Sequence, residues 1–318
     1  MSLPLAHREV FPQAIYFLQD ESGEIIAYRS ESLDEVRGEA KLAFLAKNTD
    51  LYTEAESELD IQPRSLLAQP QIIPTHIKDG RLRLSLVWGE ITNSVTGYRL
   101  MKRTYGRTCK NQNCSNYKKP LEGKTCSQCK RPIYSAEVTN LQSEVVFEEP
   151  YITKYQAPCV LVEFNEGLQT AITTEVNRCK KEIMQCYGEY RDIPEQFKAL
   201  WTSASHFTAL HSIQHQIVKA VPLVVLSSSL DVDGIVMEKE GKTTGYFYDT
   251  SEGGNGAAEA IFHQLSRFAA KAYALAVECD CEGGCPRCLH SPGCPQKNLG
   301  LHKDVGLFLL DAISQNNS

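Results

Sequence analysis

The sequence predicts an α+β protein: a β-rich N-terminal part, then a mostly helical C-terminal part, each carrying a group of cysteines. Three observations carry that prediction. "RLRLSLVWGEIT" (81–92) puts Leu82, Leu84 and Leu86 on one face and Arg81, Arg83 and Ser85 on the other, the period of two of a half-buried strand. In "GLQTAITTEVNRCKKEIMQCYGEY" (167–190), Leu168, Ile172, Val176, Cys179, Ile183 and Cys186 recur every three or four residues. That stripe belongs to an amphipathic helix and makes both cysteines core residues. Nine of the other cysteines fall into two groups, at 109–129 and 279–294.

The elements follow in order. "AIYFL" and "EIIAYR" are strands flanking "QDESG", in which Asp20, Ser22 and Gly23 are turn residues. "KLAFLAK" (41–47) is a further strand, and "QPQIIPTHIKDG" (69–80) is a loop because Pro70 and Pro74 interrupt it. Strands at 95–105, 143–155 and 157–164 surround the first cysteine group. After the helix at 167–190, a second helix is expected over "FTALHSIQHQIVKAV". A hairpin-like pair, "LVVLSSSLDVDGIVME" and "TGYFYDT", leads to a third helix, "GAAEAIFHQLSRFAAKAYALAV". This helix starts just after Gly253, Gly254 and Asn255 and runs into the second cysteine group. The expected domains are 1–165, with a cysteine-rich insert at about 106–134, and 166–318.

A chain of 318 residues with 42% hydrophobic and 23% charged residues has room for two globular domains. "MSLPLAHREVFPQ" is broken by Pro4, His7, Arg8 and Glu9, so it does not read as a signal peptide. The longest apolar run, "AVPLVVL" (220–226), is too short to cross a bilayer. A cytoplasmic protein without a membrane partner is expected. A reducing compartment disfavours disulfides, so clustered cysteines there point to metal.

Four residues separate Cys109 from Cys114 and two separate Cys126 from Cys129. Two close pairs joined by a loop make a zinc ribbon, whose four thiolates close a tetrahedron and leave no place for catalytic water. The bland alternative is two unrelated reduced pairs. The second group offers Cys279, Cys281, Cys285, Cys288 and Cys294 for four places. "CPRC" is a knuckle, and Gly283 and Gly284 permit backbone amides to face the thiolates. The expected ligands are Cys281, Cys285, Cys288 and Cys294, with Cys279 spare at the end of its helix. His290 and His302 are possible substitutes, though surface or supporting roles suit them better. Two zinc ions are expected.

The stretch "LHSIQHQIVKAVPLVV…LDVDG…TGYFYDTSEGGNGAAEAIF…CDCEGGCPRCLHSPGCPQKN" resembles the C-terminal zinc-binding domain of MrfA-type helicases. These are bacterial superfamily 2 DNA-repair helicases of the DEAD/DEAH kind, and the domain also appears in anti-phage defence proteins. The segments "AIYFL", "DLYTEAES" and "LVWGEITNSVTGY" resemble the part that precedes this domain. The resemblance implies a helicase-associated module. The family's motor is not recognisable: "GKT" occurs at 123–125 and 241–243, but Lys118 and Val236 stand where a phosphate-binding loop needs glycine. "LDEV" (33–36) does not continue as a DEAD or DEAH box.

Ten basic residues and one acid lie between Arg99 and Arg131, a net +9 in a chain of net −6. Tyr98, Tyr105, Tyr117 and Tyr134 are interleaved with them. Basic side chains neutralise phosphates and tyrosines stack on unpaired bases. Arg103, Arg107, Lys110, Tyr117, Lys118, Lys119, Lys124, Lys130 and Arg131 are therefore candidate contacts to single-stranded or junction DNA. A solvated basic face with tyrosines in a small core would look the same. Residues 20–60 hold twelve acids against four bases, as a solvated acidic face would. His211 and His215 lie four apart, but no glutamate follows His211, so a packed or hydrogen-bonded pair is expected. "DTSEGGNG" fits either an anion site or a tight strand-to-helix turn. No residue is assigned a catalytic role. The expected function is a non-catalytic accessory module working with a helicase motor in cis or in trans. The rivals are a protein-interaction scaffold and a hydrolase built on the His211/His215 face.

Overall fold

The computed structural model describes residues 3–315 except 48, 110, 112, 113, 118, 120, 282, 292 and 293. It confirms a mixed α+β chain in two compact units, residues 1–60 with 91–154 and residues 61–90 with 155–318. These units do not divide at a single point near Asn165. The reason lies in Asn165 itself. Its side chain accepts the N–H of Arg81 at 2.9 Å and of Leu168 at 3.1 Å, and donates to the Asp79 carbonyl at 2.8 Å. It therefore ties the start of one strand to the start of a helix within the second unit.

The first unit opens with helix α1 (Leu3–Glu9) and an antiparallel meander of β1 (Ile15–Gln19), β2 (Ile25–Asp34) and β3 (Glu39–Lys47). The β1–β2 turn is the one expected: Asp20 accepts the N–H groups of Ser22 and Glu24, each at 2.9 Å. Three long strands follow, β4 (Leu51–Leu66), β6 (Arg81–Cys109) and β7 (Ile133–Phe164), hydrogen-bonded in the order β4-β6-β7; β5 (Gln71–Pro74) precedes β6. The first unit holds residues 51–60 of β4, 91–109 of β6 and 133–154 of β7. Its core includes Phe11, stacked on Tyr98 with ring centroids 5.3 Å apart and edge-on to Phe147 at 5.8 Å. The sequence pattern breaks this region into shorter strands and omits β4. Strands of 29 and 32 residues exceed the usual length, so pauses in alternation look like ends.

In the second unit the remaining parts of β4, β6 and β7 are joined by β9 (Lys242–Asp249) and β8 (Val232–Lys239) in the order β4-β6-β7-β9-β8. Strand β5 pairs with β6 in the stretch expected to be loop; Pro74 ends it at the register partner of Arg81. The β8–β9 hairpin turns through Glu240 and Gly241, both at positive φ. Among the described residues, five α-helices complete the unit: α2 (Glu166–Tyr187), α3 (Glu195–Thr202), α4 (Ser205–Val224), α5 (Ala257–Val277) and α6 (Lys303–Ser314). Leu223 and Val224 finish α4 rather than starting a strand. Leu82, Leu84 and Leu86 of β6 face a core shared with Leu168, Ile172 and Val176 of α2 and with α4, α5 and α6. Cys179 is buried there as expected. Cys186 is exposed, because the last turns of α2 bury little. The C-terminal half carries the expected helices, as a layer on a sheet that includes the β8–β9 hairpin. Among the described residues no helix is long and apolar enough to cross a membrane.

Candidate metal centres

The first centre occupies the connection between β6 and β7. Cys109, the last residue of β6, approaches Cys129 to 3.5 Å, sulfur to sulfur, and Cys114 approaches Cys126 to 3.7 Å. One sulfur from each of the four lies within 4.8 Å of every other. A disulfide would bring a pair to about 2.05 Å. A tetrahedron of thiolates about 2.3 Å from zinc has edges of about 3.8 Å, which is the spacing found. Local backbone turns aim amides at the sulfurs. Burial works to raise the Cys126 thiol, but the N–H groups of Cys129 and Gln128 and the Asn116 side chain outweigh it and bring it down to about 6. Cys109, with only the Asn111 N–H against its burial, is pushed up to about 12. Ile133 and Leu121 supply the small apolar lining.

The second centre differs from the expected ligand set. Cys279, Cys281, Cys285 and Cys288 come together, with sulfur separations of 3.5 Å for Cys279–Cys285, 3.4 Å for Cys281–Cys288 and 3.8 Å for Cys285–Cys288. Cys294 is the spare. Helix α5 does not carry Cys279 away from the site: the Cys279 N–H reaches the Ala276 carbonyl at 3.3 Å, and the chain turns into the cluster there. Cys294 is drawn off by its own loop, which Asn298 closes with bonds of 2.8 and 2.7 Å to the backbone of Ser291. Burial works to raise Cys285 too, but the N–H of Cys288, the Cys279 sulfur and the N–H of Arg287 lower it to about 7. Gly284 sits at φ +124, and a Cβ there would lie 2.5 Å from a Leu289 methyl.

The donor set of both clusters, four thiolates each, suits one zinc ion apiece in a closed structural site. Two lysines that the sequence pattern did not mark support the second cluster. Lys303, 7% exposed, donates to the carbonyls of Cys279 at 2.5 Å and Cys281 at 3.0 Å. Lys219 donates to the Pro286 carbonyl at 2.8 Å. Their charge offsets the net −2 of four thiolates on a divalent ion. Only a buried lysine heading α6 could have signalled this, and burial is not visible in a lone lysine codon's neighbours. His302 accepts from the N–H of Val305 as the N-cap of α6, and His290 is half-buried outside the four-sulfur cluster.

Cys294 faces α4 instead. Its sulfur lies 3.3 Å from Nε2 of His211, and His211 and His215 stack edge to face with centroids 4.6 Å apart. The glycine turn before α5 is already filled: the buried Asp249 carboxylate accepts from Asn255 at 2.9 Å, Gly256 at 3.0 Å and Ala258 at 2.8 Å. The anion at this helix N-terminus is the protein's own, and no anion site remains there.

Of the candidate DNA contacts, Arg103, Arg107, Lys119, Lys124, Lys130 and Arg131 are exposed and Tyr117 is half-buried. Lys110 and Lys118 lie outside the described residues. Arg103 and Arg107 also have structural contacts: the Arg103 guanidinium lies 4.5 Å from the Tyr52 ring centroid, and Arg107 donates to the Gly123 carbonyl at 2.8 Å. Arg99, from the same basic segment, pairs with Glu54 and Glu56 at 3.0 and 2.6 Å, so part of the acidic stretch neutralises part of the basic one.

Residues 213–289 match the family model of the MrfA Zn-binding domain. The matched stretch includes Cys279, Cys281, Cys285 and Cys288 and ends before Cys294. An uncharacterized protein of Methanocaldococcus jannaschii is 28% identical over 110 residues, covering 33% of this chain and 98% of its own. The crystal structure of the DUF1998 helicase MrfA bound to DNA is similar at 20% identity and a TM-score of 0.42, over 98% of this chain and 31% of that one. That of the DUF1998 helicase MrfA gives 15% identity and a TM-score of 0.45, over 97% and 31%. The chain spans less than a third of the length of those solved chains. The resemblance read from the zinc-binding residues therefore holds over 213–289.

Proposed function

We propose that this chain is a zinc-stabilised, non-catalytic DNA-binding accessory module that serves a superfamily 2 helicase motor, in cis or in trans, in DNA repair or anti-phage defence. The observation that carries this reading is the match of residues 213–289 to the MrfA Zn-binding domain with its four cysteines clustered in space. That domain is named for a helicase, one of whose crystal structures is bound to DNA. In this reading the second zinc centre braces the helical layer. The first acts as a zinc ribbon that presents Lys119, Lys124, Lys130 and Arg131, all exposed, to phosphates. Arg103 and Arg107 contribute charge while holding their own segment together, Tyr117 is half-buried beside them in the chain, and Lys110 and Lys118 add charge to the same stretch of sequence. The DNA is single-stranded or a junction, and the chain itself turns over no ATP because its sequence offers no phosphate loop.

Fluorescence anisotropy with single-stranded, forked and duplex DNA tests this. Neutralising about five phosphates gives a slope of log affinity against log salt of roughly −3 to −5. Exchanging Lys119 and Lys124 for glutamate should flatten the slope and weaken all sequences alike, with zinc content unchanged. An unchanged slope would move the DNA contact elsewhere, and no binding at low salt would favour an acidic protein partner.

A further inference from the structure

Neither four-cysteine centre uses His211, His215 or Cys294, yet one ligand atom from each lies within 4.8 Å of the other two. They are 0%, 6% and 9% exposed. The two histidines are one turn apart on α4. Nδ1 of His211 is 2.7 Å from the Leu299 carbonyl, and Nδ1 of His215 is 2.8 Å from the Leu289 carbonyl. A carbonyl only accepts, so each Nδ1 carries the ring proton and each Nε2 keeps its lone pair. Burial keeps both rings neutral. Cys294 brings its sulfur 3.3 Å from the first of those lone pairs.

We propose that His211, His215 and Cys294 hold a third divalent ion of the zinc type, separate from the two four-cysteine centres. Three features support it. Imidazole and thiolate are the donors zinc takes, and magnesium and calcium do not. For bonds of about 2.0–2.1 Å to nitrogen and about 2.3 Å to sulfur, a tetrahedral nitrogen–sulfur pair stands roughly 3.5–3.6 Å apart, within about 0.3 Å of the 3.3 Å found between His211 and Cys294. The bonds from Nδ1 to backbone carbonyls are the support that metal-ligating histidines need to fix tautomer and ring orientation. The burial of all three residues makes the ion a clip between α4 and the loop at 289–299, not a reaction centre. The rival arrangement is a hydrogen bond from the Cys294 thiol to the His211 ring with no metal.

Zinc K-edge X-ray absorption of the full chain, purified without chelator, separates the two. A third ion adds two imidazole ligands to a spectrum that the four-cysteine centres alone would make purely sulfur. Cys294→Ala should remove one zinc per chain by native mass spectrometry and abolish the imidazole signal. A wild-type spectrum with no imidazole ligation overturns the proposal, and this reading needs no variant to fold. An unchanged zinc count in a folded Cys294→Ala protein overturns it as well. A wild-type count of two that falls to one in the variant, with imidazole present in the wild type, keeps this site and empties one four-cysteine centre instead.

Discussion

The two four-cysteine centres share a ligand chemistry and differ in what they are attached to. In each, the first cysteine of a Cys-x-x-Cys pair, Cys126 or Cys285, receives the N–H groups of the residues two and three positions on. Among the described residues, the first centre forms a small apolar cluster of its own with Ile133 and Leu121. The second continues α5: Ala276, Leu289 and Leu301 pack around it, and Lys303 clamps its backbone from the start of α6. A zinc ion in the first centre holds a loop, and one in the second holds the junction of two helices. Identical ligands can therefore carry unequal shares of the fold.

The largest effect should come from Cys285→Ser. Structural zinc binding supplies about 10–16 kcal/mol, as much as a whole domain's stability of about 5–15 kcal/mol. Circular dichroism should show loss of helix and of a cooperative melt in that variant. Retained helicity would mean that the second centre is as self-contained as the first. Cys126→Ser should lose one zinc and leave helix content and the main melting transition in place. Collapse of the helical signal in this variant would break the comparison from the other side.

A smaller effect is expected from Lys303→Met, which keeps the aliphatic stem and leaves two carbonyls of the second centre without their donor. The cost should be about 1–3 kcal/mol, read as a lower denaturant midpoint with zinc still bound. An unchanged midpoint would reduce Lys303 to a bystander. The smallest belongs to Lys119→Glu: stability should stay within about 0.5 kcal/mol of the parent, since the residue is exposed beside a centre that does not brace the core. A destabilisation above that in chemical denaturation would show the first centre to be coupled to its surroundings after all.

Much of this was legible in the residue pattern, for reasons that differ from place to place. The four cysteines at 109–129 announce themselves because two close pairs joined by a short loop have the spacing of zinc ligands. Leu82, Leu84 and Leu86 announce a strand because alternation is a local property. Cys279 and Cys294 could not be told apart along the chain. Which one joins the cluster depends on the turn after α5 and on the Ser291–Asn298 bonds, and neither is a matter of spacing. Likewise nothing local to "DTSEGGNG" says whether its helix end awaits an anion or already has one. Asp249 settles that only once β9 places its carboxylate under the turn.

The position of α6 has a kinetic consequence. Val305, Leu309, Leu310 and Ile313 complete the same apolar core as α4 and α5, yet α6 follows the second cysteine cluster in the chain. During synthesis α4 and α5 emerge with part of their apolar face uncovered, and they stay so until the segment around residues 279–288 has turned and delivered Lys303. Metal capture that fixes that segment therefore shortens the time for which the face is open to aggregation.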